Sequence, residues 1–418
     1  MLVMKKLISL FDQYRGLRRE NYILFLGQLV TSLGSMVWPL LTLIMRDKVG
    51  MDATGISIAL ALFFVASIPA SLLGGKLADR FDKKMNIIYF DLLSIVLFLV
   101  CTFLPIGIPT LVLMGIAALS QQMEGASYDA LLADITPTED RSRAYSLNYM
   151  GANLGLVLAP SIAGLLFENY LWLTFLISGL SIACSTLLIF FLVKDTSPGV
   201  SRLKSAELYE ERQDGDSLLK VLKERPVMVL FLVTISLAYS IYSQSGYLLP
   251  LDLATIHPGT GAAIYGTLMS TNCLLVVLLM PLFTHLLART ADAVKMLIGN
   301  LFMIAGIFLF FRMMGHVPWY YAAMTVFTIG EVARTLMTAP YIAARVPASH
   351  RGRVSSSRTI GAAVLQTGLQ LVIGRIYDHA GSSSAWFFVF GLCVLLGGLS
   401  VLLIIADRKA YPEIGRGE

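Results

Sequence analysis

The chain is 418 residues long, 56% hydrophobic and only 14% charged, with a mean hydropathy of +0.73. Soluble domains carry roughly 25% charged residues, so this composition excludes an ordinary water-facing globule. The formal charge of +5 says little by itself; the position of the cations along the chain says more.

Apolar stretches of the roughly 20 residues needed to cross a bilayer recur near 22–45, 54–78, 86–105, 109–132, 145–167 and 170–193. After a polar interruption they resume near 227–250, 262–287, 294–314, 318–343, 357–377 and 384–406. Lipid offers no partner for an unpaired backbone amide, so these twelve spans are predicted to be helices. The first apolar run begins near residue 22 and is long enough to span, so no cleavable signal is expected. Lys5, Lys6, Arg15, Arg18 and Arg19 precede the first span, and Lys76, Arg80, Lys83 and Lys84 follow the second. Arg141 and Arg143 follow the fourth span, and Arg351, Arg353 and Arg358 the tenth, whereas alternate loops carry few cations. By the positive-inside rule both termini are expected in the cytoplasm. The basic loops are topology signals rather than a nucleic-acid site. Cys101, Cys184, Cys273 and Cys393 fall inside predicted spans without metal-ligand spacing, so neither a disulfide nor a metal site is expected.

Residues 194–225 form the one long polar stretch. It divides the chain into an N-terminal six-helix bundle (1–193), a cytoplasmic linker (194–225) and a C-terminal six-helix bundle (226–418). Sliding the first half by 210 positions sets Pro137 on Pro347, Arg141 on Arg351, Arg143 on Arg353, Gly151 on Gly361 and Gly164 on Gly374. Leu77-Ala78 falls on Leu287-Ala288 in the same register. The expected fold is an all-α membrane protein of twelve transmembrane helices in two pseudo-symmetric bundles, related by an axis normal to the membrane.

Between the second and third spans the chain reads G-K-L-A-D-R-F-D-K-K, Gly75 to Lys84. This resembles the loop signature of the major facilitator superfamily, Gly-x-Leu-Ala-Asp-Arg followed by Gly-Arg-Arg/Lys, with Asp82 where the family usually has Gly. The resemblance implies a gate. Gly75 opens the motif, and Asp79 would meet the start of the eleventh helix, where the macrodipole favours an anion. Arg80 and Lys83 would reach an acid at the end of the fourth helix, where Asp134 stands. The fifth span carries Gly151, Gly155 and Ala159 at i+4 spacing, then Pro160 and Gly164. Small residues at that spacing let membrane helices approach closely, and Pro160 can kink the span. The pattern resembles the fifth-helix motif of the twelve-span drug–proton antiporter branch, Gly-x8-Gly-x3-Gly-Pro-x2-Gly, with Ala159 in place of the last Gly before Pro. Ordinary tight packing would give the same stripe.

The fourth span departs from that branch, which carries Arg-x-x-Gln-Gly here. This chain has Gln121 and Glu124 at the two positions, and the 210 offset sets Glu331 opposite Gln121 and Arg334 opposite Glu124. An ionised side chain at mid-membrane costs about 2.5–3.5 kcal/mol on insertion scales, so such residues tend to face an aqueous cavity. Glu331 and Arg334 stand three residues apart and could neutralise each other. Glu124 has no such local partner: either it pairs across the cavity with Arg334 or it holds a proton. It is therefore the leading proton-coupling candidate, with Glu331 and Arg334 as rivals. Asp91, a turn or two inside the third span, reads as structural, and Asp129 as part of the gate or interface.

Candidate solute contacts are polar and aromatic side chains on cavity-lining helices: Gln28, Ser32 and Trp38 on the first, Gln121 on the fourth, and Asn148 and Asn153 on the fifth. Tyr239 and Tyr242 on the seventh and Gln366 on the eleventh complete the set. Aromatics with scattered amides suit a large, partly apolar solute. The chain is thus read as a secondary transporter of the cell membrane, probing as a bacterial inner-membrane monomer that exports an organic solute in exchange for protons. A proton symporter or facilitator for a metabolite, peptide or lipid-like solute is the alternative, although no Glu-x-x-Glu-Arg peptide-carrier signature occurs. No cofactor is implied. A membrane enzyme, an ATP-driven pump and a non-transporting scaffold find no nucleophile–base pair, phosphate loop or soluble domain to support them.

Overall fold

The computed structural model describes residues 14–137, 140–193, 222–312, 315–346 and 348–412. Lys5, Lys6, most of the expected linker, and the side chains of Asp79, Arg141, Arg351 and Arg353 lie outside the described residues. What is described is helical, with no strand among the described residues. The first pass is α1 (Arg19–Leu33), continued by a 3-10 turn at Trp38–Leu40, a helical turn at Leu41–Leu43 and a π turn at Ile44–Lys48. Then follow α2 (Ala53–Arg80), α3 (Lys83–Phe103), α4 (Ile108–Ile135), α5 (Arg141–Leu156), α6 (Ala159–Leu166) and α7 (Leu171–Leu192). The second half holds α8 (Pro226–Tyr242), α9 (Leu248–Ile256), α10 (Gly261–Leu286), α11 (Asp292–Arg312), α12 (Val317–Arg345) and α13 (Ala348–Ala410).

These helices accommodate twelve passes. Nine stretches of the described residues are long and apolar enough to cross a membrane, and the last of them, 57 residues from Val354 to Ala410, is long enough for two. It turns at Gly381, whose φ of 81° lies in the left-handed region that glycine adopts without a Cβ penalty. α4 and α12 are not among the nine; they carry Gln121, Gln122 and Glu124, and Glu331 and Arg334. Large apolar side chains stand outward along the helices, Phe103, Leu165 and Phe191 among them. A water-soluble monomer rarely exposes such a surface; lipid would cover it.

Local chemistry sets the helix ends. Asp82 caps α3 by accepting from the Met85 N–H at 2.8 Å. Asp52 accepts from the Gly55 N–H at 2.7 Å as α2 begins. Pro160 does more than kink the fifth span. The helix stops at Leu156 and restarts at Ala159 with the proline in its first turn, where the missing N–H costs nothing.

By its contacts the chain divides into two units, Met1–Leu41 with Val65–Glu207, and Thr42–Phe64 with Leu208–Glu418. Residues 42–64, from the first two spans, thus group with the C-terminal helices. In the first unit Ile23, Leu24, Ile87, Tyr128, Leu131 and Ile189 form a core between α1, α3, α4 and α7. The glycine stripe serves this unit. A Cβ on Gly151 would meet the Phe25 ring at 2.8 Å, and one on Gly155 the Leu29 carbonyl and Leu33 N–H at 2.7 Å, so both let α5 touch α1. Gly164 is buried on α6. In the second unit Val227, Phe231, Met296, Tyr341, Val354 and Leu403 form the core. There Gly299 and Gly330 let α11 and α12 meet backbone to backbone: a Cβ on Gly330 would lie 2.5 Å from the Gly299 carbonyl.

Candidate functional site

The first unit encloses a polar cavity of about 220 Å³. α1 and the turn after it supply Gln28, Ser32 and Trp38, α3 supplies Asp91, and α4 supplies Gln121 and Glu124. Five residues expected from the sequence are therefore brought to one place. The wall opposite is α7, with Ser178 and Ser185. Trp38 closes one side with Phe98, ring centroids 6.2 Å apart and edge to face. A second hollow of about 420 Å³ shares Gln28, Glu124 and Tyr128 and adds Asp129, Tyr145 and Asn148.

Within this setting the polar groups are unequally held. The Gln28 amide donates to the Ser32 hydroxyl at 3.3 Å. Asp91 is buried and accepts from the Thr186 hydroxyl at 2.7 Å. The Tyr128 hydroxyl is placed by the Leu24 carbonyl at 2.8 Å and by Asn148 at 3.2 Å. Glu124, by contrast, makes no hydrogen bond or ion pair among the described residues. Asn153 does not join the group; its amide donates to the Tyr149 carbonyl of its own helix at 2.9 Å. Asp91 was read as structural and stands in the cavity wall as well. Its signal was available, since an acid inside a span tends to face an aqueous cavity. Ser178 and Ser185 carried no signal, because hydroxyls are common in membrane helices and most of them bond their own backbone.

At the ends of α3 and α4 Lys83 forms an ion pair with Asp134, each side chain about one-fifth exposed. Arg80 does not reach that acid; its guanidinium lies 5.8 Å from the Phe81 ring centroid. Gly75 has open space where a Cβ would stand, and the close approach belongs to Gly74, whose Cβ would meet the Met123 backbone at 2.7 Å.

The second unit holds the repeat-related charges. Glu331 accepts from the Tyr242 hydroxyl at 2.9 Å and from the Asn272 amide at 2.8 Å, and Asn272 also donates to Thr328 at 2.9 Å. The neutralising pair with Arg334 does not form. Arg334, 3% exposed, lies instead over the rings of Tyr239 and Tyr242, 4.5 and 5.2 Å from their centroids. The geometric reason is competition: two neutral donors already occupy both Glu331 oxygens, and two ring faces take the guanidinium. Gln366 is half-buried on α13. Sequence reasoning missed the tightest charge in this unit. Arg345 grips Asp407 through Nε at 2.6 Å and Nη2 at 2.8 Å, and the Tyr341 hydroxyl donates to the same carboxylate at 2.9 Å.

The sequence model of the Major Facilitator Superfamily matches residues 24–365. The chain belongs to that superfamily. Among its relatives, the Na(+), Li(+), K(+)/H(+) antiporter of Planococcus maritimus is 24% identical, covering 88% of this chain and 89% of its own. The quinolone resistance protein NorA of Staphylococcus aureus is 28% identical over 45% of this chain and 50% of its own. Solved structures share the fold. A peptide transporter of the POT family covers 95% of each chain with a TM-score of 0.74 at 17% identity. The nucleoside transporter NupG covers 91% of this chain and 98% of its own with a TM-score of 0.71 at 14% identity. The superfamily places this multi-pass membrane protein among transporters of small-molecule solutes.

Proposed function

We propose that this transporter is an exporter that exchanges an organic, partly apolar solute for protons by alternating access, with Glu124 as the proton carrier. The observation that carries the reading is Glu124 itself, a carboxylate in a polar cavity with no cation and no hydrogen-bond donor on it among the described residues. An uncompensated charge in a membrane interior is expensive, and protonation removes the expense. Each proton gained or lost therefore biases which side of the membrane the cavity favours. Trp38 and Phe98 give the cavity an apolar wall for the body of a solute, and Gln28 and Gln121 give it amides for polar groups. The antiporter relative agrees with exchange as the mode of coupling, and the quinolone resistance relative with an organic solute.

The remaining parts of the reading follow the sequence. The halves are 1–193 and 226–418, joined by a cytoplasmic linker; both termini face the cytoplasm, and the protein works as a monomer in a bacterial plasma membrane. Lys83 and Asp134 belong to the cytoplasmic gate together with Asp79. The test is proton flux that accompanies solute in liposomes. Glu124→Gln, fixed in the neutral form, is expected to abolish it. A variant that still moves protons with solute would sink the assignment.

A second reading has one observation in its favour. The cavity offers two carboxylates, Asp91 and Glu124, with hydroxyls and amides and no lysine or arginine, an all-oxygen set that suits a monovalent metal cation. If potassium or sodium is the cargo, an imposed pH gradient drives uptake of radioactive sodium or rubidium into liposomes that hold no organic solute.

A further inference from the structure

We infer that the second unit contains an anion site, built by Arg334 and Arg358 beside the Tyr239 ring, that takes the carboxylate of an aromatic or similarly apolar organic acid. The inference rests on the exporter reading only in calling that acid a transported solute.

The observation is an excess of buried positive charge. Arg334 is 3% exposed and its Nη1 has no hydrogen-bond partner. Arg358 is half-buried, its Nε is buried without a partner, and its Nη1 makes one long bond, 3.4 Å, to the Tyr239 hydroxyl. Both guanidinium carbons stand over the same ring, 4.5 Å and 5.6 Å from the Tyr239 centroid. Neither forms an ion pair among the described residues. The acid in reach by sequence, Glu331, has its two oxygens on Tyr242 and Asn272.

Two cations held close together, with one carboxylate, Glu331, in electrostatic reach and none paired to either, leave a net positive charge that is costly to bury. An anion that joined them would offset that cost. A guanidinium presents its N–H groups as a planar fork that matches a carboxylate bidentately. The empty donors are of that kind, one on each arginine. Arg345 shows what a satisfied buried arginine of this unit looks like, with both oxygens of Asp407. Arg358, which the sequence suggests is only a topology charge, is thus half of a site. Its partial exposure gives the pair a route to water, whereas Arg334 is buried.

The surroundings fix the class of acid. The half-buried rings of Tyr239 and Tyr242 stand beside the guanidiniums and form an aromatic wall. A small inorganic anion would leave that wall unused. A flat organic body attached to the carboxylate would cover it.

The test uses the purified full-length transporter in phosphatidylcholine nanodiscs and two matched probes, 2-naphthoate and its neutral isostere 2-naphthamide, followed by fluorescence anisotropy. Naphthoate is expected to bind at least about tenfold more tightly, the size of one charge-assisted hydrogen bond. Arg334→Gln and Arg358→Gln should each remove that preference, and Arg358→Lys should restore only part of it, because a lysine keeps the charge without the fork. If Arg334→Gln fails to fold, the Arg358 variants decide alone. Equal affinity for the two probes overturns the site, as does naphthoate binding that survives in Arg358→Gln. Loss of naphthoate binding when phosphatidylglycerol replaces part of the lipid also overturns it, and gives the arginines to a lipid headgroup. Failure of proton exchange while the carboxylate preference persists counts against the antiport reading and leaves the site standing.

Discussion

The two units treat the same problem, charge inside a membrane, in opposite ways. In the second unit nearly every described acid is tied down. Glu331 has Tyr242 and Asn272, Asp407 has Arg345 and Tyr341, and Asp252 takes the Trp386 indole N–H. In the first unit Glu124 faces a cavity unheld, and the ion pair of Lys83 and Asp134 sits where water reaches it. The 210-residue offset sets Glu331 on Gln121 and Arg334 on Glu124, so α4 and α12 carry their charges at matching places. The difference lies in what surrounds each carboxylate. Charges that have complete partners act as structure, and a charge left without one is free to change its state during a cycle.

Four substitutions can break or sharpen that contrast. The largest effect is expected at Glu124: Glu124→Gln should eliminate transport driven by a pH gradient, measured as solute flux in liposomes, with folding retained. Asp407→Asn comes next. It strands the Arg345 guanidinium at 1% exposure, and removal of one partner of a buried pair costs about 3–5 kcal/mol; thermal unfolding in detergent should show it, with coupling preserved in the surviving fraction. Glu331→Gln should cost about 1.5–3 kcal/mol, the range for hydrogen bonds to a charged group, and leave the protons transported per solute unchanged. If it uncouples transport while Glu124→Gln does not, the roles of the units are reversed. Smallest in stability is Lys83→Gln. A pair this exposed contributes no more than about 1 kcal/mol, so the expected change is in turnover, read alongside cysteine labelling of cavity positions from the cytoplasmic side.

Much of this was legible from the chain. Twelve apolar runs, one polar interruption and the charged loop after the second span were enough for the fold, because bilayer thickness and backbone hydrogen bonding leave few alternatives. Gly151 and Gly155 were readable as a contact stripe for the same kind of reason. The closer contact at Gly299 and Gly330 was not, since each helix contributes a glycine that looks isolated in its own sequence. The cavity residues Gln28, Ser32, Trp38, Gln121 and Glu124 could be picked out as polar or aromatic groups in apolar runs. The fates of Glu331 and Arg334 could not. Their spacing suggests a pair, and only the positions of Tyr239, Tyr242 and Asn272, brought from two other helices, decide that no direct ion pair forms. Arg345 and Asp407 lie 62 residues apart at helix ends, where a charge reads as solvated.

One further hydrogen-bonded junction bears on how the protein is made. Asp378, near the close of the first helical arm of α13, accepts from the Ala53 N–H at 3.1 Å and the Thr54 N–H at 2.7 Å, and the Tyr247 hydroxyl donates to the Ala53 carbonyl at 2.6 Å. The start of α2 therefore takes its carboxylate from a residue 325 positions later. At translation speeds of about 5–20 residues per second, that partner emerges roughly 15–65 seconds after the helix it completes. Through that interval the Ala53 and Thr54 amides lack their acceptor, while Asp52 can already serve Gly55. This junction at the start of the second span can therefore close only after the eleventh has been made.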